Sequence, residues 1–343
     1  MRTEHRNGTG SGTASSTIAM QAVIHDEYGE AEDVLRLATI ARPEIGDGEV
    51  LVRVQAAGVD RGVWHVVAGL PYALRLAGYG VRKPRNPVAG RDVAGTVEAV
   101  GKDVTRFAPG QEVYGTAEGS FAEYARADQG RLAPKPANVT FAQAAALPIS
   151  GLTALQGLRD RGQVRPGQQV LVIGASGGVG SYAVQIAVAM GATVTAVCSQ
   201  AKADLVRALG AEHVIDYART GITAGPRRYD VVLDTGGHRS LRELRRALTP
   251  RGTLVIVGSE TGGRWFGGFD RSLRAGLLSP FVGQELRMLV NSENTADLIA
   301  LAGLVESGAV TPAIDRTYPL AQAAAAVQYM AHGHARGKVV ITV

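Results

Sequence analysis

A single cysteine, Cys198, stands in a chain of 343 residues. One thiol builds neither a disulfide framework nor a multi-thiolate zinc site, and it suits a reducing compartment. No stretch approaches the roughly 20 uncharged apolar residues of a membrane span, so no membrane partner is expected. Residues 1–18, MRTEHRNGTGSGTASSTI, are almost without apolar content and are expected to be disordered. They contain no apolar core of a secretory signal. Glu4 and the glycines argue against an amphipathic transit helix, so a cytoplasmic location is expected. No internal repeat is visible. The 36 basic residues against 31 acidic ones leave a net charge of +5. Because they are dispersed, with only short clusters such as Arg82-Lys83-Arg85 and Arg242-Arg245-Arg246, they suit attraction of an anionic cofactor, and nucleic acid is not the expected partner.

The length exceeds what one core usually covers, and two domains are expected. Val170 to Gly180 reads VLVIGASGGVG, an apolar run that breaks into small residues and opens onto a helical pattern over 181–190. A buried strand, a tight glycine turn and a helix N-terminus with unpaired N–H groups together make a phosphate site. The spacing Ala175-x-Gly177-x-x-Gly180 is one methyl from the dinucleotide fingerprint, which assigns Ala175, Ser176, Gly177, Gly178 and Val179 to the cofactor. A second strand, Thr193 to Val197, comes next, and the adenosine ribose belongs at its end. No acidic side chain stands there to bond both ribose hydroxyls. Ser199 and Lys202 can hold a 2′-phosphate instead, so NADPH is expected over NADH.

Strand signals at 170–173, 193–197, 213–215, 231–234 and 253–257 alternate with helical patterns at 181–190, 202–209 and 240–248. That succession predicts an α/β, doubly wound parallel sheet of Rossmann type over 148–290. Between Met20 and about Leu147, short alternating segments (20–24, 50–56, 95–100, 112–114) separated by Gly-, Pro- and Asp-rich turns predict a mostly β domain, 19–147. The tail, 291–343, has helical stretches near 295–306 and 320–331 and a strand from Lys338 to Val343. It is too short for a domain of its own and is expected to complete the β domain.

Several segments, among them AAGVDRGVWHVVAG (56–69), NPVAGRDVAGTVEAVG (86–101), LPISGLTALQGL (147–158), VLVIGASGGVGSYAVQIA (170–187), LGAEHVIDY (209–217) and GHARGKVVITV (333–343), resemble the medium-chain dehydrogenase/reductases. The likeness is to the zinc-independent quinone oxidoreductase branch that includes zeta-crystallin and the reticulon-interacting oxidoreductase. It covers almost everything after Met20 in the family's order. It implies a GroES-like, mostly β catalytic domain beside the Rossmann domain, with the active site in the cleft between them.

In zinc-dependent relatives the metal is held from places that match Asp60, Arg91 and Leu147. A guanidinium and a leucine are not zinc ligands, and a catalytic site needs three protein donors, so no metal is expected. Without a Lewis acid, conjugated acceptors become the expected substrates, because charge arriving with a hydride delocalises onto oxygen and a few hydrogen-bond donors stabilise it. The expected function is NADPH-dependent, zinc-independent reduction of a quinone or an α,β-unsaturated carbonyl. Two alternatives stay open: a reductase or alcohol dehydrogenase dedicated to one biosynthetic intermediate, and a non-catalytic NADPH-binding interaction or RNA-binding protein.

The resemblance also assigns residues. Asp60 orients the nicotinamide ribose or substrate, or is a turn or cap residue. His65 relays protons to an enolate, or is structural. Tyr72 and Tyr79 present a phenol to substrate, or pack half-buried for ordinary reasons. Tyr217 packs beside the adenosine phosphate with Ser199 and Lys202. Val257, Gly258 and Ser259 lie under the nicotinamide ribose, Arg336 reaches a cofactor phosphate or is a lone surface arginine, and Phe281 lines the cleft near a dimer strand, or is plain core. The glycine- and aromatic-rich stretch 260–283 is a mobile apolar flap at the cleft mouth or a packed helix with aromatic core residues. A strand near 285–290 that pairs with its copy implies a homodimer.

Overall fold

The computed structural model describes residues 18–258 and 263–343. Its chain starts with a two-stranded antiparallel ribbon, β1 (Ala19–Ile24) with β2 (Arg36–Ala41). A seven-stranded sheet comes next, made of β3 (Glu49–Val59), β4 (Asp92–Val100), β5 (Glu112–Thr116), β6 (Tyr124–Asp128) and β7 (Leu132–Pro134), and completed from the far end of the chain. Alternation along β3 turns Val50, Val52 and Val54 into one cluster with Val93, Val97, Val113 and Leu132.

The second sheet is built from β8 (Gln169–Ile173), β9 (Thr193–Cys198), β10 (His213–Asp216), β11 (Tyr229–Asp234), β12 (Leu248–Ile256) and β13 (Glu285–Met288), in the order β10-β9-β8-β11-β12-β13. All its pairings are parallel. This is the doubly wound sheet expected beside a GroES-like domain. Its strands are near-continuous apolar runs because both faces are covered: Val170 and Val172 enter one core cluster, Leu171 and Ile173 the other.

Four helices matter for the site: α1 (Arg61–Ala68), α2 (Pro148–Gln156), α3 (Gly178–Ala189) and, beyond β12, α4 (Phe269–Leu278). The tail adds α5 (Thr295–Glu306), β14 (Ile314–Pro319), α6 (Ala323–Ala331) and β15 (Lys338–Thr342). β15 inserts between β14 and β3, parallel to the first and antiparallel to the second. Strand β14 gives little sign of itself in the sequence, since IDRTYP alternates weakly and ends in proline.

Residues 260–262 of the expected flap, and residues 1–17 of the expected disordered tail, lie outside the described residues. From residue 263 the chain makes a turn and enters α4, whose Ala275 is buried while Leu273 and Leu277 face outward. Trp265 and Phe266 are exposed, so these two aromatics form no core.

Candidate active site

Between the two sheets opens a cavity of about 1020 Å³. Its floor is the glycine turn. Gly174, at φ +78°, takes a left-handed conformation at the end of β8, and its N–H and that of Ala175 both donate to Val197 O on β9, at 3.2 and 3.1 Å. Gly177 caps α3 without any side-chain acceptor, so the first N–H groups of this twelve-residue helix stay available to an anion. A side chain on Gly180 would overlap Gly174 O and come within 2.6 Å of Ala175 Cα, and the turn closes only around glycine there.

Of the residues assigned to the cofactor from sequence, Ser176, Gly177, Gly178, Val179, Ser199, Lys202, Tyr217, Val257 and Gly258 line this cavity together. Ala175 is fully buried behind the turn and supports it. Ser259 lies outside the described residues. Arg336 is exposed and outside the lining, with its backbone N–H on Asp315 Oδ2 at 3.1 Å. At the adenosine end Lys202 Nζ donates to Gly333 O and Ala335 O at 3.0 and 2.8 Å, and burial lowers its pKa. Asp60 and Glu243 are the acidic residues of the described lining, and Glu243 is already paired with Arg239.

The other end is shaped by β3 running directly into α1. Asp60, at the junction, is buried; its Oδ1 accepts from Val63 N at 3.1 Å and caps the helix, while Oδ2 is buried with no hydrogen-bond partner among the described residues. The cap reading of Asp60 therefore holds for one oxygen, and the other has no partner among the described residues. His65 lines the cavity one turn later, with Nδ1 on Leu70 O at 2.8 Å, a pairing that needs the proton on Nδ1. Tyr72 and Tyr79 are half-buried and outside the lining. Tyr72 stacks edge to face on Trp265, and Tyr79 Oη accepts from Arg91 Nη1 at 3.2 Å. Phe281 is 85 % exposed, just after the C-terminal end of α4, and joins neither the cavity lining nor a core cluster.

Sequence reasoning met Arg91 only as a residue that cannot ligate zinc and missed the charged groups that organise the centre with it. Arg91 is bidentate on Glu293, at 2.6 and 2.8 Å. Burial pulls its pKa down, but Glu293, Tyr79, Asp60 and Asp92 together hold it above the ordinary arginine value. Glu293 is fixed in turn by Thr116 Oγ1 at 2.8 Å. Asn291 also lines the cavity, and its Nδ2 is buried without a partner among the described residues.

Under the glycine turn lies Lys338, 1 % exposed, whose Nζ is 3.1 Å from both Asp92 Oδ2 and Ser150 Oγ. Asp92 Oδ1 accepts from Ile149 N at 2.9 Å. Burial pushes the Asp92 carboxyl up to about 7 against the pull of Lys338. This cluster ties β4, α2 and β15 together beneath the cofactor floor, and Gly337 N reaches Ser176 O at 2.9 Å beside it. No local signal marks Lys338 or Glu293, because each partner lies some two hundred residues away.

On the far side of the floor, Arg271 of α4 pairs with buried Asp234 at 2.7 Å and donates to Gly258 O at 3.0 Å. Helix α4 thereby holds the ends of β11 and β12.

Among the described residues no helix is long and apolar enough to cross a membrane, and no group of three His, Cys, Asp or Glu side chains is placed to hold a metal ion. Residues 46–137 match the family model for the alcohol dehydrogenase GroES-like domain, and residues 209–341 that for zinc-binding dehydrogenase. The chain is 32 % identical to the mitochondrial NAD(P)H oxidoreductase RTN4IP1 of Bos taurus, over 96 % of this chain and 91 % of that protein. It is 34 % identical to a chloroplastic NADPH-dependent alkenal/one oxidoreductase of Arabidopsis thaliana, over 96 % and 81 %. Among solved structures, a quinone oxidoreductase from Coxiella burnetii superposes with a TM-score of 0.81 at 29 % identity, covering 95 % of this chain and all of that one.

Proposed function

The chain belongs to the medium-chain dehydrogenase/reductase superfamily, in its quinone oxidoreductase branch, and is an NAD(P)H-type oxidoreductase; from that premise we propose that it reduces quinones or enones with NADPH and without zinc. The observation that carries the reading is Arg91. At the places that hold the metal in zinc-dependent relatives stand a guanidinium engaged with Glu293, a fully buried Leu147 and a single carboxylate, Asp60. Two of the three offer no lone pair to Zn²⁺, so the donor set does not fit the ion that the name of the matching family model suggests.

The residues do fit a dinucleotide: the uncapped N-terminus of α3 for the pyrophosphate, Ser199, Lys202 and Tyr217 for a 2′-phosphate, and the unpartnered Asp60 Oδ2 for a ribose or substrate hydroxyl. Bound there, the dihydronicotinamide supplies a hydride. The protein's part is placement and charge. Asn291 Nδ2, in the lining and without a partner among the described residues, is the donor placed for a substrate carbonyl, and His65 the group placed to return a proton.

Purified protein is expected to oxidise NADPH with quinones and enones at rates that a chelator leaves unchanged. Lys202→Ala should raise KM for NADPH about tenfold, the worth of one charge-assisted contact, with KM for NADH unaltered. Activity confined to simple ketones and restored only by added zinc would overturn the reading.

The homodimer is proposed on an edge. β13 ends its sheet, and beside it Leu277, Phe281, Met288 and Val290 face outward. A free parallel-sheet edge flanked by apolar side chains suits an isologous pairing. Light scattering should give the mass of two chains, and Phe281→Asp should halve it. A wild-type mass of one chain removes the dimer.

A further inference from the structure

The cleft mouth carries a surface that hydride transfer does not use. Two segments far apart in sequence build it. Tyr72 N donates to Arg264 O at 2.7 Å and Ala73 N to Trp265 O at 3.1 Å, and the rings of Tyr72 and Trp265 meet with centroids 5.3 Å apart. The contact of cavity-lining His65 with Leu70 O sets this rim directly beside the cavity. Four large apolar side chains project from the two segments: Leu76 (75 % exposed), Val81 (61 %), Trp265 (67 %) and Phe266 (61 %). Large apolar groups gathered in water mark a contact surface.

Along the first of these segments the charge has one sign, while exposed Asp26, Glu27 and Glu30 flank Tyr28, whose hydroxyl docks on Tyr79 O and Gly80 O behind it. From Arg61 to Arg91 the chain holds six basic residues (61, 75, 82, 83, 85, 91) and no acidic one, so this stretch alone carries +6 against +5 for the whole protein. Arg82, Lys83, Arg85 and Arg264 are exposed, and none has an ion pair among the described residues. Unpaired cations beside Trp, Phe and Leu match the headgroup boundary of an anionic bilayer. Aliphatic Leu76 and Val81 offer no face on which a base could stack, which favours lipid over a nucleic-acid strand.

We propose that this rim docks the enzyme on an anionic lipid surface, with the cavity opening toward the acyl region, so that its acceptor is a lipid-soluble quinone or enone. The expectation of no membrane partner rested on the lack of a spanning segment, and a surface contact needs none. The acceptor half of the proposal rests on the reductase reading; the docking half does not.

Full-length protein is sedimented with vesicles of phosphatidylcholine containing phosphatidylserine and with vesicles of phosphatidylcholine alone. At least tenfold stronger partition onto the anionic vesicles is expected, weakening with added salt. Leu76→Ser with Phe266→Ser, and separately Arg82→Glu with Lys83→Glu, should each lower partition about tenfold while turnover of a water-soluble quinone stays within twofold of wild type. Equal partition onto both compositions, or partition unaltered in both variants, overturns the docking. So does loss of the dimer mass in the serine variant, which would make the rim a contact between copies, or displacement of the vesicles by a single-stranded RNA. Vesicle binding without turnover of any quinone or enone leaves the docking standing and overturns the acceptor half.

Discussion

Gly180→Ala is expected to abolish measurable NADPH binding, raising Kd by two orders of magnitude or more. Helix propensity alone predicts the opposite, since alanine is favoured over glycine by about 1 kcal/mol inside a helix. The steric term decides. The added methyl would overlap Gly174 O and stand 2.6 and 2.8 Å from the Ala175 backbone, and all of these atoms belong to the turn itself. Relief requires the turn to open, which moves Ser176 and Gly177 away from the N-terminus of α3. Gly178→Ala is the control, because its methyl would crowd only side-chain atoms, Lys338 Cδ and Ser150 Oγ, each at 3.1 Å, and would stand at an ordinary 3.9 Å from Gly337 O. Titration of nucleotide fluorescence measures both variants, with circular dichroism confirming the fold. Wild-type affinity in Gly180→Ala would remove the phosphate site from this turn.

Lys338→Met is expected to destabilise the protein most at alkaline pH, where Asp92 ionises without its partner, toward the about 3–5 kcal/mol that a buried unpaired charge usually costs. Asp92 is wholly buried, and the lysine is its nearest cation. The effect should depend on pH in a stated direction. The folded pKa of Asp92, about 7, lies above the unfolded value of about 3.9, so between them the unfolded chain has released a proton that the folded chain retains. Raising pH through this window therefore favours unfolding. Removing Lys338 takes away what lowers that pKa, so the variant should lie nearest wild type at about pH 5 and fall further behind toward about pH 8. Urea midpoints across that range are the measurement. A gap that stays constant or narrows with rising pH would mean that Asp92 is not the group exposed by the substitution. The paired replacement Lys338→Met with Asp92→Leu should recover most of the loss, because no charge is then left in the interior.

What was legible in the sequence was local. The apolar run 170–173, the glycines after it and the helical pattern behind them all lie within twenty residues, and strand, turn and α3 formed accordingly. The cap at Asp60 was legible too, because a strand running into a helix needs a side-chain acceptor at the junction. The charged frame was not: Arg91 meets Glu293 across 202 positions and Lys338 meets Asp92 across 246, distances over which no periodicity connects partners. For Phe281 the ordinary expectation that a phenylalanine is covered points to cleft or core, yet the short turn 279–281 that follows α4 leaves it exposed.

The insertion of β15 between β14 and β3 has a consequence for synthesis. A ribosome making this protein releases β3 to β7 and the entire nucleotide sheet long before residue 338 appears. Until then β3 lacks its neighbour, β14 has nothing to attach to, and the strap from Gly337 to Ser176 is missing. At roughly 5–20 residues per second, the incomplete chain waits many seconds with an open strand edge, which makes it a client for chaperones. A nonsense codon ahead of β15 would leave β14 and β3 without the strand that joins them.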